Sequence, residues 1–94
     1  MGAEQPLILV VDDEPAVREV VCEKLSHHNF KAISAANGKE AFKLIEEANP
    51  DLILLDLRLP DIDGMTICQQ IRRRSRVPII MLTAMGEEVN RIVG

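Results

Sequence analysis

Short apolar runs that alternate with segments of helical spacing constrain the fold of this chain more than any other feature of its sequence. The run Leu7–Val11 is bounded by Pro6 and Asp12, and a second block of consecutive apolar residues lies within Asp51–Leu57. Unbroken apolar runs of this length are typical of strands buried on both faces of a parallel sheet. Four strands are predicted, at Leu7–Val11, Lys31–Ala35, Asp51–Leu57 and Val77–Thr83.

Amphipathic segments follow the predicted strands, with apolar residues at helical spacing. Their apolar positions are Val17, Val20, Val21 and Leu25; Ala41, Phe42, Leu44, Ile45 and Ala48; Met65, Ile67, Cys68 and Ile71; and Val89, Ile92 and Val93. The first helix is predicted to begin near Glu14, with Asp13 as its N-cap and Pro15 in its first turn. The fourth is predicted at Glu87–Gly94. This order, β-α-β-α-β-α-β-α, predicts an α/β fold, an open parallel sheet with right-handed crossovers and helices on both faces.

Composition and charge exclude several classes of protein. No apolar run is long enough to cross a bilayer, and Met1–Pro6 lacks the features of a secretory signal, so a cytoplasmic location is expected. The net charge is −4 and the aromatic residues are Phe30 and Phe42, which argues against nucleic acid as a direct partner. Cys22 and Cys68 form no metal-binding pair and are predicted to be reduced, apolar side chains.

One basic cluster stands out against the acidic balance of the chain: Arg72, Arg73, Arg74 and Arg76. Cations near the C-terminus of a helix complement its macrodipole, and this structural explanation is favoured. Docking of an acidic partner is the alternative.

Oxygen-bearing side chains follow three of the four predicted strands. Asp12 and Asp13 come after the first strand, Asp56 lies near the end of the third, and Thr83 ends the fourth. Ligands of open α/β sheets bind outside the carboxyl ends of the strands, so these side chains are expected to converge. Each could instead have a local role, such as capping a helix or initiating a turn.

Packing alone gives no reason to gather these carboxylates, because two carboxylates ~5 Å apart repel by about 3 kcal/mol at an effective dielectric of about 20. An acidic cluster therefore implies a cation, and oxygen-only ligands favour magnesium over zinc. A magnesium site with a carboxylate and a neighbouring hydroxyl is suited to phosphoryl chemistry. Asp56 is the best candidate nucleophile, and Asp12 and Asp13 are better placed as metal ligands.

Three segments together resemble the receiver domains of two-component response regulators, the CheY-like proteins. They are Val10–Glu14 (VVDDE), Leu54–Gly64 (LLDLRLPDIDG) and Pro78–Ala84 (PIIMLTA). The resemblance runs from Leu7 to the end of the chain. Around Gly64 and Thr83 the sequence is most similar to regulators that carry a winged-helix DNA-binding output domain.

The resemblance implies that the chain is a phosphoacceptor and not an enzyme. Asp56 would receive the phosphoryl group, either from a phosphohistidine on a sensor histidine kinase or from a small acyl phosphate. Asp13 would bind Mg²⁺ directly, Asp12 largely through water, and the backbone carbonyl of Arg58 would supply a further ligand beside Asp56.

The remaining implied roles concern the surroundings of that group. Thr83 would be the switch hydroxyl that turns inward to hydrogen-bond the phosphoryl group, and Ala84 would leave room for it. Pro60 and Gly64 would shape the loop and the start of the third helix.

The chain departs from the family's pattern at its C-terminal end. Residues 1–94 correspond to a partial receiver domain, from the first strand to the fourth helix, without the family's fifth strand and helix. The lysine that ends the fifth strand has no counterpart here, so phosphoryl labelling is expected to be weak or slow. The lysines present belong to earlier elements: Lys24, Lys31, Lys39 and Lys43. The fourth strand would be an exposed edge, and a homodimer or higher oligomer that covers Ile79–Leu82 is expected.

Three other functions are weighed against the phosphoacceptor. A receiver fragment that is not phosphorylated and folds by self-association would be an interaction module. A magnesium-dependent phosphohydrolase would need a second Asp two positions after its nucleophile, where Arg58 stands. A flavodoxin-like flavin protein would need a Ser, Thr and Gly phosphate loop after the first strand, where three acids stand from Asp12 to Glu14.

Overall fold

The computed structural model describes residues 5–56, 59 and 61–82, together with the backbone of residues 91–93. Its elements are β1 (Leu7–Val11), α1 (Pro15–His27), β2 (Lys31–Ala35), α2 (Gly38–Ala48), β3 (Leu52–Asp56), α3 (Gly64–Arg72), β4 (Ile79–Leu82) and β5 (Arg91–Val93). The strands form one sheet in the order β2-β1-β3-β4-β5, and the first four are parallel to one another. The predicted open parallel α/β fold is confirmed.

The helix predicted at Glu87–Gly94 is wrong where the structure describes that segment. Residues 91–93 form β5, which pairs antiparallel with β4 through the partners Ile79 and Val93, and Ile80 and Ile92. Two of its three residues are β-branched, and the unpaired backbone groups of β4 offer them a ladder. Residues 83–90 and 94 lie outside the described part of the chain.

The antiparallel β5 also changes the expectation for β4. The sequence predicts that Ile79–Leu82 is an open edge, but residues 79–81 pair with β5 of the same chain. The expectation of an open edge is therefore wrong over those residues. The homo-oligomer, and the alternative of a fragment that folds by self-association, stay predictions.

The core lies mainly between the sheet and the two helices α2 and α3. It contains Leu9, Val11, Ala35, Ala41, Ile45, Ile53, Leu55, Ile67, Cys68, Ile71, Ile79 and Met81. Ile8 and Val10 are buried on the opposite face of β1, where α1 contacts β1 and β2. The prediction that β1 is buried on both faces is thus confirmed from Ile8 onward.

Coverage of the α1 side of the sheet is less complete. In β3 the alternate residues Leu52 and Leu54 are only half-buried, so the predicted burial on both faces does not hold for this strand. Val20 of α1 is 53% exposed. The half-buried residues Val17, Val21 and Leu25 of this helix recur at four-residue spacing on a neighbouring face. Met65 is 49% exposed and does not belong to the inner face predicted for α3. It lies about 100° around the helix from Gly64, which is buried on that face.

The helix starts differ in how their amide groups are satisfied. The N-cap of α1 is Glu14 and not Asp13, with no hydrogen bond from its side chain, and Pro15 occupies the first turn as predicted. The N-cap of α2 is Asn37, whose Oδ1 accepts the amide of Glu40 at 2.9 Å. That helix ends at Ala48, and its C-cap Asn49 adopts the left-handed conformation with φ 52°.

Contacts within the chain account for two members of the basic cluster. Arg72 donates to the carbonyl oxygens of Ser75 and Val77, which fixes the turn between α3 and β4. Arg74 donates to Glu46 Oε2 at 2.8 Å and lies 5.9 Å from the ring centroid of Phe42. Arg72 also lies in the last turn of α3, where a positive charge complements the macrodipole as predicted. Docking of an acidic partner stays a prediction.

The two cysteines lie within α1 and α3. Cys22 is half-buried, Cys68 is buried, and both are free thiols as predicted. Among the described residues, none of the helices is both long and apolar enough to cross a membrane.

Candidate metal centre

Sheet register places Asp12 beside Asp56. Val11 of β1 pairs with Leu55 of β3, so the residue after each partner emerges at the same level of the carboxyl edge. The chain leaves β1 toward β2 on one side and leaves β3 toward β4 on the other. This point between β1 and β3 is the topological switch point, where the two flanking loops diverge and leave a crevice for a ligand.

Three carboxylates meet in that crevice, as the sequence predicts. Oxygen atoms of Asp12, Asp13 and Asp56 lie within 4.8 Å of one another. Asp12 and Asp56 are only 8% and 6% exposed, whereas Asp13 is exposed. The cluster therefore has two buried charges at its floor and one at its mouth, an arrangement that leaves solvent access through Asp13.

Asp12 is held from three directions. Its amide donates to the carbonyl of Ala35 at 3.1 Å, and its Oδ1 accepts the amide of Glu14 at 2.9 Å. Its carbonyl accepts Arg18 Nη1 at 2.8 Å. A local role for the Asp12 carboxylate therefore coexists with its place in the cluster, and the backbone that carries both Asp12 and Asp13 is fixed.

Burial and neighbouring charges both act on the ionisation of the Asp12 carboxyl. Burial raises the pKa of the Asp12 carboxyl above its ordinary range, and the charges of Asp56 and Asp13 add to that rise. The hydrogen bond from the Glu14 amide and the charge of Arg18 oppose it. A divalent cation would reverse this balance by favouring the ionised carboxylates.

Arg18 is a member of the site that the sequence does not identify. Helical spacing shows it only as a polar residue among the apolar positions of α1. The structure places its guanidinium on the Asp12 carbonyl, where its charge also lowers the pKa of Asp12. A second missed residue is Asp61, whose carboxylate contacts the start of α2.

The donor set fits magnesium. All three side chains offer carboxylate oxygen, which Mg²⁺ prefers, and none offers the nitrogen or sulfur that zinc or copper would favour. Three carboxylates also leave positions for water or for the oxygens of a phosphate, as hard-cation sites for phosphoryl chemistry require.

Several predicted site residues lie outside the described part of the chain: Arg58, Pro60, Thr83 and Ala84. The neighbour of Thr83 in sequence, Leu82, pairs with Asp56 in the ladder between β3 and β4. Gly64 is described and begins α3, as predicted. The roles of the other four residues stay predictions.

Comparison with known proteins identifies the family. Residues 8–93 match the family described as the response regulator receiver domain. Over 87 residues the chain is 52% identical to the transcriptional regulatory protein ResD of Bacillus subtilis, covering 93% of this chain and 36% of ResD. The chain spans between 34% and 40% of the length of such curated relatives.

Solved structures agree with that match. The response regulator TrrA of Thermotoga maritima, in complex with Mg²⁺ and BeF, superposes with a TM-score of 0.82 and 40% identity, over 87% of this chain and 72% of TrrA. The BeF3-activated receiver domain of RstA from Klebsiella pneumoniae superposes with a TM-score of 0.82 and 34% identity, over 87% and 70% of the two chains. With its parallel sheet and acidic crevice, this chain belongs to the response regulator receiver domains of two-component signal transduction.

Proposed function

We propose that this receiver domain accepts a phosphoryl group on Asp56 with Mg²⁺ bound beside it. The observation that carries the proposal is the convergence of Asp12, Asp13 and Asp56 within 4.8 Å at the carboxyl ends of β1 and β3. Such a concentration of charge opposes folding unless a cation offsets it. TrrA, a structural relative with 40% identity, holds Mg²⁺ together with BeF.

Asp56 acts as the nucleophile in this proposal. One of its carboxylate oxygens forms a bond to phosphorus as the P–N bond of a phosphohistidine breaks. The electron pair of that bond leaves on the imidazole nitrogen, which takes a proton from solvent. The product is an acyl phosphate on Asp56, so the aspartate is a substrate and the chain is a phosphoacceptor rather than an enzyme.

Asp12, Asp13, Asp56 and the Arg58 carbonyl would hold Mg²⁺, which supplies positive charge that offsets the phosphoryl oxygens. Asp13 is exposed, so the incoming donor and the cation would reach the crevice from the side of this residue. The fixed backbone of Asp12 keeps both loop carboxylates in place without the metal. The Thr83 hydroxyl would bind the phosphoryl group once it is formed.

A sensor histidine kinase is the proposed donor, and a transcriptional output is the proposed consequence. ResD, of which the chain matches 36%, is named a transcriptional regulatory protein. Both proposals, like a cytoplasmic location, concern the whole protein and rest on its relatives rather than on contacts in this domain.

The test is phosphorylation by acetyl phosphate, read by intact mass and by mapping of the labelled peptide. With Mg²⁺ the chain should slowly gain the mass of one phosphoryl group, on the peptide that contains Asp56. Asp56→Asn should not be labelled, and a chelator should prevent labelling of the parent. Labelling of Asp56→Asn at the parental rate would refute the proposed acceptor.

A further inference from the structure

Asp61, in the loop between β3 and α3, accepts two hydrogen bonds from the start of α2. Asp61 lies five positions after Asp56, and its two carboxylate oxygens accept different amides of α2. Oδ1 accepts the amide of Gly38 at 2.9 Å, and Oδ2 accepts that of Lys39 at 3.2 Å. The contact joins residues 23 and 22 positions apart in the sequence.

Asp61 completes the start of α2, whose other amides are satisfied nearby. Asn37 Oδ1 accepts the amide of Glu40, and the carbonyl of Asn37 accepts that of Ala41. Glu40 Oε1 in turn accepts the amide of Ala36. The first amides of a helix have no partner within the helix and attract negative charge. Asp61 meets that need from a different loop, and the Gly38 amide holds the pKa of its carboxyl below its ordinary range.

Close packing reinforces the same contact. A Cβ atom on Gly38 would lie 2.3 Å from Ile62 Cγ2 and 3.0 Å from Ile67 Cδ1. Ile62 packs on the core beside Ile67, which is fully buried. Glycine therefore lets the β3–α3 loop approach the backbone of α2 closely enough for Asp61 to reach both amides.

The contact links the two sides of the acidic crevice. The β2–α2 loop begins at Ala35, whose carbonyl accepts the Asp12 amide, and it ends at the α2 amides that Asp61 accepts. Asp61, which those amides hold, follows Asp56 by five positions in the sequence. The backbone beside Asp12 and the described part of the β3–α3 loop at Asp61 are thus both attached to the β2–α2 connection, outside the sheet.

We propose that Asp61 is a positioning residue for the metal centre: by holding the β3–α3 loop on the first turn of α2, it sets the affinity of the acidic crevice for Mg²⁺. The inference rests on the proposed function, because it concerns the same crevice. Asp61 itself does not belong to the cluster formed by Asp12, Asp13 and Asp56. Its effect on the metal is indirect, like that of groups that orient metal ligands in other proteins.

The experiment compares Asp61→Asn with Asn37→Ala. Asparagine at position 61 is nearly isosteric but offers one acceptor oxygen, so it cannot accept both amides. Asn37→Ala removes the hydrogen bond to Glu40 at the same helix start, and among the described residues the Asn37 side chain has no hydrogen bond to the β3–α3 loop. It is therefore a matched control for loss of helix capping. Mg²⁺ affinity is measured by calorimetric titration at a temperature at which circular dichroism shows all three proteins folded.

Two readouts decide the outcome. Asp61→Asn should weaken Mg²⁺ binding about tenfold, the effect typical of groups that orient metal ligands, whereas Asn37→Ala should leave it unchanged. In metal-free protein, hydrogen exchange over residues 61–63 should accelerate in Asp61→Asn and not in Asn37→Ala. Equal Mg²⁺ affinities for the two variants, or equal exchange in that loop, would overturn the inference.

The outcome is distinguishable from failure of the proposed function. A parent chain that shows no saturable response to Mg²⁺ would refute the proposed metal site and would remove the basis of the affinity claim. Hydrogen exchange in the metal-free proteins would still decide whether Asp61 holds the loop. A parent that binds Mg²⁺ normally, beside an Asp61→Asn variant that binds it equally well, would refute the positioning role alone.

Discussion

Replacing Asp56 by asparagine should stabilise the metal-free protein, because the change removes one of two buried charges that repel each other. Carboxylate oxygens of Asp12 and Asp56 lie within 4.8 Å, and these residues are only 8% and 6% exposed. Two unit charges at that distance repel by about 3.5 kcal/mol at an effective dielectric of about 20. Asparagine has nearly the same shape but one acceptor oxygen fewer, and this loss offsets part of the gain. The free energy of unfolding should therefore rise by about 1–3 kcal/mol.

Urea unfolding at neutral pH, in chelator and again with Mg²⁺, measures this effect. Asp13→Asn should give a smaller gain, because Asp13 is exposed and its charge is screened by solvent. Glu47→Gln, an exposed position on α2 outside the cluster, should leave stability unchanged. Mg²⁺ at 100 times its dissociation constant should stabilise the parent by about 2.7 kcal/mol. Asp56→Asn has lost a ligand and should gain much less.

The reasoning would be refuted by an Asp56→Asn variant that is no more stable than the parent in chelator. That result would mean that the buried carboxylates do not repel each other appreciably. Retention of the full Mg²⁺ stabilisation in this variant would separately show that Asp56 is not a ligand.

Three further predictions follow from individual contacts. Burial raises the pKa of Asp12, so the folded protein binds the proton of this carboxyl more tightly than the unfolded chain does. The free energy of unfolding in chelator should therefore fall as the pH rises from the ordinary carboxyl range through the raised pKa. Urea unfolding of Asp12→Asn should not show this fall. Arg18→Gln should cost about 1–2 kcal/mol in chelator and less in saturating Mg²⁺, which replaces the lost positive charge; an equal cost in both conditions would contradict this. Gly38→Ala should cost about 1–3 kcal/mol in thermal or urea unfolding, because the new Cβ would overlap Ile62; an unchanged midpoint would contradict the packing.

Features fixed by short stretches of sequence could be predicted. β1 and β2 have the predicted bounds, and α2 ends at Ala48, the last apolar position predicted for it. Asp12 and Asp56 could be identified because each lies at the end of an apolar run, and parallel strands bring their carboxyl ends to one edge. The family resemblance pointed to the same residues.

Features that depend on distant partners could not be predicted. Ile92 and Val93 have helical spacing with Val89, yet residues 91–93 pair with β4, because the backbone groups of that strand offer them a partner that the local pattern does not reveal. The sequence does not distinguish Asp61 from other acidic loop residues, because its partner, the Gly38 amide of α2, is distant in the sequence. Arg18 has no signal of its own either, because its acceptor is a backbone carbonyl.

Titration of the metal-free protein with Mg²⁺, followed through backbone amide chemical shifts, tests the central claim most directly. Three carboxylates from the ends of two strands should create one divalent-cation site, so the amides of Asp12, Asp13 and Asp56 should shift together with a single saturable dependence on Mg²⁺. Asp13→Asn and Asp56→Asn should each weaken that dependence. Shifts that do not saturate, or a saturable response centred away from β1 and β3, would contradict the account.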